Sequence, residues 1–393
     1  MNYNEESLKM HQNNRGKIEV ISKVELLTKD DLSIAYTPGV AEPCRKIHES
    51  KENVYRYTSK GNLVAVVSDG SAVLGLGNIG PEAAMPVMEG KAILFKNFAG
   101  VDAFPICLNT QDTEEIIRTI KYLEPTFGGI NIEDIGSPRC FEIEQRLKKE
   151  MNIPVFHDDQ HGTATVVAAG LINALKLANK KFEECRIVVN GPGAAGTAIV
   201  KMLLNLNAGN IIVCDKDGIL FRGKKGMISH KVELAHSTNN DNEKGKLEEA
   251  VKTADIFIGV SGANILTPEM VRSMNKKSII FAMANPIPEI LPEVAKEAGA
   301  YIVGTGRSDF PNQINNVLAF PGIFKGALSC NATDINEEMK VAAAYAIANA
   351  IPENELNENF VIPDPFNRKV VTDISTAVIE AANKTGISNS GGK

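Results

Sequence analysis

Short runs rich in Val and Ile alternate along the chain with longer stretches whose apolar residues recur every three or four positions. The short runs read as buried strands and the longer stretches as amphipathic helices. In the first half, strands are predicted at Leu63–Ser68, Ala103–Leu108, Gly129–Ile132 and Ile153–Phe156, with helices at about Ala83–Asn97, Thr113–Leu123 and Arg139–Glu150. Gln111, Asp112 and Thr113, followed by Glu114 and Glu115, supply a cap and first-turn acids that suit a helix dipole. In the second half, strands are predicted at Cys185–Asn190, Asn210–Asp215, Ile256–Val260, Ser278–Ala282 and Tyr301–Gly304. Helices at Ala194–Leu206, Leu247–Ala254, Pro268–Met274 and Pro292–Ala298 fall between them. Asp217-Gly218 reads as a turn and the polar stretch Ser237 to Lys246 as a surface loop. Two Ala-rich helices, Glu337–Ala350 and Val371–Lys384, follow and are expected to fold back on the first half. The polar N-terminus and the Ser/Gly-rich tail from Ser388 to Lys393 are expected to fray.

This alternation predicts an α/β fold with largely parallel sheets. The expected division is an α/β domain at 1–160, a doubly wound nucleotide-binding domain at 161–325 and a helical segment at 326–393.

Two segments match the spacing GxGxxG: Gly75 to Gly80 and Gly191 to Gly196. Gly-rich turns are common, so context separates the two. The second follows the strand Arg186–Asn190 and opens a helix, and the next strand ends in Asp215. Gly191, Gly193, Ala194, Ala195 and Gly196 would bring backbone N–H groups to a pyrophosphate at a helix N-terminus. Asp215 would accept hydrogen bonds from ribose hydroxyls, which favours NAD. Lys216, Lys224 and Lys225 could offset its charge and leave NADP open. Gly75 to Gly80 has no such acid and reads as a structural or substrate-side loop.

Glu133-Asp134 and Asp158-Asp159 each stand just past a predicted strand, where open α/β sheets bind ligands. Clustered carboxylates repel unless a cation sits among them, and hard oxygen ligands suit Mg²⁺ or Mn²⁺. Solvated loop acids are the plain alternative. His157 and His161 have the spacing of a helical zinc pair, but Asp158 stands where that template needs Glu and a strand precedes them. A loop or helix-cap role fits the histidines better. Lys91 interrupts an apolar helix and suits a partly desolvated base, although such a lysine also snorkels outward. Tyr36 suits a general acid, or a packed ring beside the Pro38-Gly39 turn.

Composition narrows the classes. With 42 Lys and Arg against 48 Asp and Glu and no basic block, nucleic acid and anionic membranes are poor partners. No apolar run approaches membrane-spanning length and no export signal opens the chain. Six scattered cysteines without CxxC spacing point to a reducing cytoplasm.

Taken together, several blocks resemble the malic enzyme family. They are Thr28–Ala41 (TKDDLSIAYTPGVA), Val67–Asn78 (VSDGSAVLGLGN), Met88–Lys91 (MEGK), Gly129–Asp134 (GINIED), Phe156–Ala164 (FHDDQHGTA), Phe281–Pro286 (FAMANP) and Asn312–Gly322 (NQINNVLAFPG). They run in family order from about Lys17 to Val370 and match the compact microbial form. The resemblance implies metal-dependent oxidative decarboxylation of L-malate to pyruvate with reduction of NAD or NADP. It also implies a site in a cleft between two domains, and a homodimer whose site residues can cross the interface. By position, Lys91 would be the base, Tyr36 the acid and Asp158 the partner of Lys91. Glu133, Asp134 and Asp159 would hold Mg²⁺ or Mn²⁺. Asn285 and Asn315 would line the substrate or nicotinamide side, with Asn316 nearby. Larger members carry an Arg in the loop after Asp69-Gly70 to clamp a carboxylate; this chain has Ser71-Ala72, so the clamp must be built differently. A malolactic-type decarboxylase, another metal-dependent 2-hydroxy-acid dehydrogenase, a non-catalytic dinucleotide sensor and an amino-acid dehydrogenase are the rival readings.

Overall fold

The computed structural model describes residues 2–389, so the last four tail residues lie outside the described part. Two parallel sheets organise the chain. The first comprises β1 (Leu63–Ser68), β2 (Asp102–Cys107), β3 (Gly129–Ile132) and β4 (Val155–His157) in the order β2-β1-β3-β4. The second comprises β5 (Arg186–Asn190), β6 (Asn210–Asp215), β7 (Gly218–Ile219), β8 (Ile256–Gly259), β9 (Ile279–Ala282) and β10 (Ile302–Thr305). Its order is β10-β9-β8-β5-β6-β7, parallel except where β7 turns back on β6.

Each order reverses once, and the reversals decide where ligands can sit. In the first sheet, β1 has β2 on one side and β3 on the other, so the crevice opens beyond Ser68 and Ile132. In the second, β5 lies between β6 and β8, so the crevice opens beyond Asn190 and Gly259. Both crevices lie at carboxyl ends, where helices that leave in opposite directions make room.

A helix of 21 residues, Asp158–Ala178, follows β4 directly and is buried along most of its length. It was not predicted. It is apolar or small on every side, so it lacks the one-sided period that marks a surface helix. Residue 160, the expected first boundary, lies in its first turn. The helix shares one core with β5, β8, the first-sheet residues Val64, Val66 and Phe156, and the C-terminal helices Glu337–Asn349 and Arg368–Thr385. Asn173 Nδ2 donates to the Ala348 and Val361 carbonyls at 2.9 and 3.1 Å, so the terminal segment is tied to it by hydrogen bonds as well. The N-terminal helices Tyr3–Asn14, Lys29–Ala35 and Ala41–Glu49 bury no residue at all.

Candidate active site

The acids that follow β3 and β4 converge. Glu133, Asp134 and Asp159 each offer a carboxylate oxygen, and these lie within 4.8 Å of one another. Asp134 adopts φ +53°, which swings its side chain out of the strand path, and its N–H donates to Asp159 Oδ2 at 2.9 Å. Glu133 is fixed on its other side by Asn131 Nδ2 at 2.8 Å.

Lys91 enters from the helix Pro81–Leu94 and is 7% exposed. Its Nζ donates to Asp158 Oδ2 at 2.6 Å, lies 3.0 Å from Glu133 Oε1 and sits 4.4 Å from the centre of the Phe320 ring. Burial lowers the affinity of Lys91 for its proton, but Asp158, Glu133 and Asp159 outweigh burial and raise its pKa well above the ordinary lysine range. The acids respond in kind. Burial pushes Glu133 up to about 7 and Asp158 up to about 7, and Lys91 only partly offsets it. Asp159 rises to about 6 for the same reason. Three carboxyl groups around one ammonium, with Asp134 beside them, leave an excess of negative charge in a largely buried pocket, and a divalent cation is the partner that such a donor set fits.

The second crevice carries the glycine loop. Gly191 has φ +112°, and a Cβ there would lie 2.7 Å from the Val260 carbonyl. A Cβ on Gly196 would lie 1.9 Å from the Gly191 carbonyl, so only glycine permits the helix Ala194–Asn205 to start this close to β5. Beside Gly193 the space is open: a Cβ would meet nothing within 4 Å. Asn190 Nδ2 donates to Ser261 Oγ at 2.7 Å, tying the two lips of the crevice together. Buried Glu289 accepts from the N–H groups of Ser261 and Ala284, both at 3.0 Å, and so holds the loops after β8 and β9. Asn285 lies in that second loop, and a Cβ on Gly75 would lie 2.7 Å from its carbonyl. The Gly75 to Gly80 loop of the first sheet therefore abuts the cofactor-side loop of the second. Asn315 Oδ1 accepts from Val317 N at 3.0 Å and caps a short turn. Asn316 packs on Gly162 in the first turns of the helix that bears Asp158.

At the expected ribose position, Asp215 does not stand alone. Lys231 Nζ lies 2.7 Å from Oδ2 and Lys224 Nζ 3.2 Å from Oδ1. Burial raises the Asp215 pKa, but Lys231, the Asp217 N–H and Lys224 outweigh it and hold the carboxyl below the usual range. Lys224 was anticipated; Lys231, sixteen residues beyond Asp215, carried no local signal.

One expectation, that His157 caps a helix, is met, and those for His161, Ser71 and Tyr36 are adjusted by the geometry. His157 is the helix cap, its Nδ1 accepting from Gln160 N at 3.3 Å. His161 lies inside the helix rather than in a loop, and its Nε2 is 2.7 Å from Glu144 Oε1. Ser71 Oγ is already engaged by Asp69 at 2.5 Å, by Gly136 N at 2.9 Å and by Arg139 Nη2 at 3.0 Å. Arg139 is thus the cation beside this loop, although no motif marked it. Tyr36 does not join the cluster. It ends the helix Lys29–Ala35 and is 67% exposed, and among the described residues its side chain shares no hydrogen bond with the acids or Lys91.

Two family models match successive parts of the chain. Residues 15–148 match the malic enzyme N-terminal domain and residues 160–383 the malic enzyme NAD-binding domain. The chain is 61% identical over 388 residues to a bifunctional malic/malolactic enzyme of Bacillus subtilis, covering 98% of this chain and 95% of that protein. It is 50% identical over 391 residues to an NADP-dependent malic enzyme of Haemophilus influenzae, covering 95% of this chain and 51% of that protein. The crystal structure of an NAD-dependent malic enzyme from Thermotoga maritima superposes with a TM-score of 0.92 at 54% identity, covering 95% of this chain and 98% of that one. With both family models matched along the chain and a fold shared with that crystal structure at a TM-score of 0.92, the chain belongs to the malic enzyme family, whose members couple the oxidation of malate by a nicotinamide dinucleotide to its decarboxylation.

Proposed function

We propose that this chain converts L-malate to pyruvate and CO₂ with reduction of NAD or NADP, using a divalent cation held by Glu133, Asp134 and Asp159. The observation that carries the reading is the ammonium of Lys91 placed 2.6 Å from Asp158 and 3.0 Å from Glu133, beside the converging carboxylates. Bound there, Mg²⁺ or Mn²⁺ would supply Lewis-acid polarisation of the substrate C2 oxygen. A cation on Glu133 and Asp159 would offset part of the charge that holds the Lys91 proton, although Asp158, the largest such charge, would remain; once that proton has passed to solvent, the neutral Lys91 amine takes the C2 hydroxyl proton while hydride leaves C2 for the nicotinamide. Asp158 keeps the Lys91 amine aimed. The C3–C4 bond of the resulting β-keto acid then breaks, CO₂ leaves, and the electron pair passes to an enolate. Tyr36 delivers a proton to C3 and pyruvate forms. Arg139 is the cation nearest the 71–72 loop, but its guanidinium is paired with buried Asp69 at 2.9 Å and bonded to the Gln111 carbonyl at 2.6 Å, so Asp69 offsets its charge; Ala72 N donates to the Asp134 carbonyl at 3.0 Å, so this loop borders the cation ligands.

Because Tyr36 is exposed and, among the described residues, makes no hydrogen bond with Lys91 or the acids within one chain, we assign it to a site shared with a second copy. Exposed Val20, Ile21, Val24, Leu26, Leu27, Leu32 and Ile34 flank it, an apolar surface of the kind that marks a protein interface. A homodimer that covers this surface places Tyr36 of one copy at Lys91 of the other. At the ribose, Asp215 takes the hydroxyl pair of NAD, while Lys224 and Lys231 cancel its charge against a 2′-phosphate. We therefore read the chain as able to use both cofactors. All six cysteines are free and no helix among the described residues is long and apolar enough to cross a membrane, which suits a cytoplasmic enzyme.

The test is an assay with malate, NAD or NADP, with and without Mn²⁺, that quantifies reduced cofactor, pyruvate and lactate together. The reading requires cation-dependent pyruvate in a one-to-one ratio with reduced cofactor. Lactate without net reduced cofactor would instead support a malolactic cycle, the activity also named for the Bacillus subtilis relative. Turnover that survives chelator would reject the cation.

A further inference from the structure

Beneath the candidate cation site lies a buried polar chain that the proposed reaction does not use. Glu144, on the helix Arg139–Glu150, is 6% exposed. Its two oxygens accept from His157 N at 3.2 Å, Gln160 Nε2 at 3.0 Å and His161 Nε2 at 2.7 Å. All three donors come from residues 157–161, and they bracket Asp158 and Asp159 on both sides. One carboxylate therefore grips the whole turn from which the base partner and a cation ligand project.

A lysine fixes the direction of the bonds. Lys340, from the C-terminal helix Glu337–Asn349, is 1% exposed, and its Nζ lies 3.1 Å from His161 Nδ1 and 2.5 Å from Glu337 Oε1. An ammonium has only donors, so His161 Nδ1 must present its lone pair and the ring proton must sit on Nε2. That proton points at Glu144. The order Glu337, Lys340, His161, Glu144 thus runs from the C-terminal helix to the turn, with each acceptor facing a donor.

We propose that Glu144 is a positioning residue for the cation site, with Lys340 locking the histidine that serves it. The inference rests on reading Glu133, Asp134 and Asp159 as the ligands. Glu144 touches neither substrate nor cation. It sets where the backbone of Asp158 and Asp159 stands, and hence whether Asp159 Oδ2 keeps its 2.9 Å contact with Asp134 N and its place among the three converging oxygens. The first turn also has a cap bond that does not involve the carboxylate, from Gln160 N to His157 Nδ1. The carboxylate is needed for placement rather than for helix formation.

The experiment measures Mn²⁺ binding by electron paramagnetic resonance of the free ion, and NADH binding by its fluorescence, on the same samples of wild type, Glu144→Gln and Lys340→Met. Glu144→Gln keeps the shape but turns an amide N–H₂ toward one of the three donors. Its Mn²⁺ affinity is expected to fall by about 10- to 100-fold, the usual cost of losing an outer partner of a metal site. Lys340→Met is expected to weaken Mn²⁺ binding by a smaller factor, since His161 Nδ1 then loses its donor while Glu144 still selects the Nε2–H tautomer. NADH affinity stays at the wild-type value in both, because the glycine loop is not part of the chain. A merely structural role would lower thermal stability and leave the Mn²⁺ affinity of the folded fraction unchanged. Wild type that fails to bind Mn²⁺ overturns the cation reading itself. Wild type that binds while Glu144→Gln binds equally well, or that loses Mn²⁺ and NADH together on substitution, overturns the positioning role. If Glu144→Gln does not fold, Lys340→Met decides alone, and unchanged Mn²⁺ affinity there overturns the proposal.

Discussion

Gly162 and Asp158 face each other so closely that a Cβ on Gly162 would lie 1.8 Å from Asp158 Oδ1. The missing side chain is what allows the aspartate to fold back beside its own helix and meet Lys91 at 2.6 Å. Gly162→Ala must displace that carboxylate. The expected result is a kcat lowered by about 100-fold or more, because small misplacements of a reacting group are that costly. The dissociation constant for NADH should not change. Steady-state kinetics with a parallel fluorescence titration checks both, and a normal kcat would remove Asp158 from the orienting role.

Lys91→Ala and Tyr36→Phe should each depress kcat by roughly 10²–10⁴-fold with little rise in KM for malate. Mixing the two inactive homodimers distinguishes the source of the tyrosine. A hybrid dimer in which Tyr36 crosses the interface contains one intact site, so refolded mixtures regain activity. A tyrosine acting within its own chain leaves both sites of the hybrid damaged, and no activity returns.

The lysine pair on Asp215 predicts a divided response to substitution. Lys231→Ala should weaken NADP by about 10- to 100-fold, the range for a lost charge-assisted hydrogen bond, and affect NAD much less. Asp215→Asn should do the reverse. The ratio of kcat/KM for the two cofactors in each variant is the measurement; equal losses for both would place the ribose elsewhere.

The raised carboxyls also predict a pH dependence. Glu133 goes from 4.5 to about 7 and Asp158 from 3.8 to about 7 on folding without a cation. Between these values the folded chain holds protons that the unfolded chain has released, so stability falls as pH rises through that window. A cation that binds the ionised acids removes the penalty. Scanning calorimetry should therefore show a larger rise in Tm on adding Mn²⁺ near pH 8 than near pH 5. An equal rise at both would mean that the cation does not act through these groups.

The fold was largely legible where side-chain period and burial agree. The strands β1, β3 and β6 and the helices Thr113–Leu123 and Arg139–Glu150 stand as the apolar pattern places them, and Asp112 caps its helix as expected, accepting from Glu115 N at 2.9 Å. The helix Asp158–Ala178 was not legible, because a helix buried on every side has no polar face to reveal its period. β7 was hidden inside what read as a turn at Asp217-Gly218, since two residues give no alternation. Within the site, the acids and the glycine loop were visible because each sits just beyond a strand. Glu144, Arg139 and Lys231 were not, because each lies on a helix among ordinary surface-type residues and gains its partners only through tertiary packing. The exposure of Tyr36 was equally invisible, since a tyrosine beside the Pro38-Gly39 turn reads equally well as a packed ring.

A small dication among three carboxylates is central to the proposed chemistry. Anomalous scattering from crystals grown with Mn²⁺ tests this most directly. The prediction is one peak per chain about 2 Å from oxygens of Glu133, Asp134 and Asp159, on the side that faces the Gly191 to Gly196 crevice. A well-ordered site that stays without a peak at saturating Mn²⁺, or a peak bound to other residues, would contradict it.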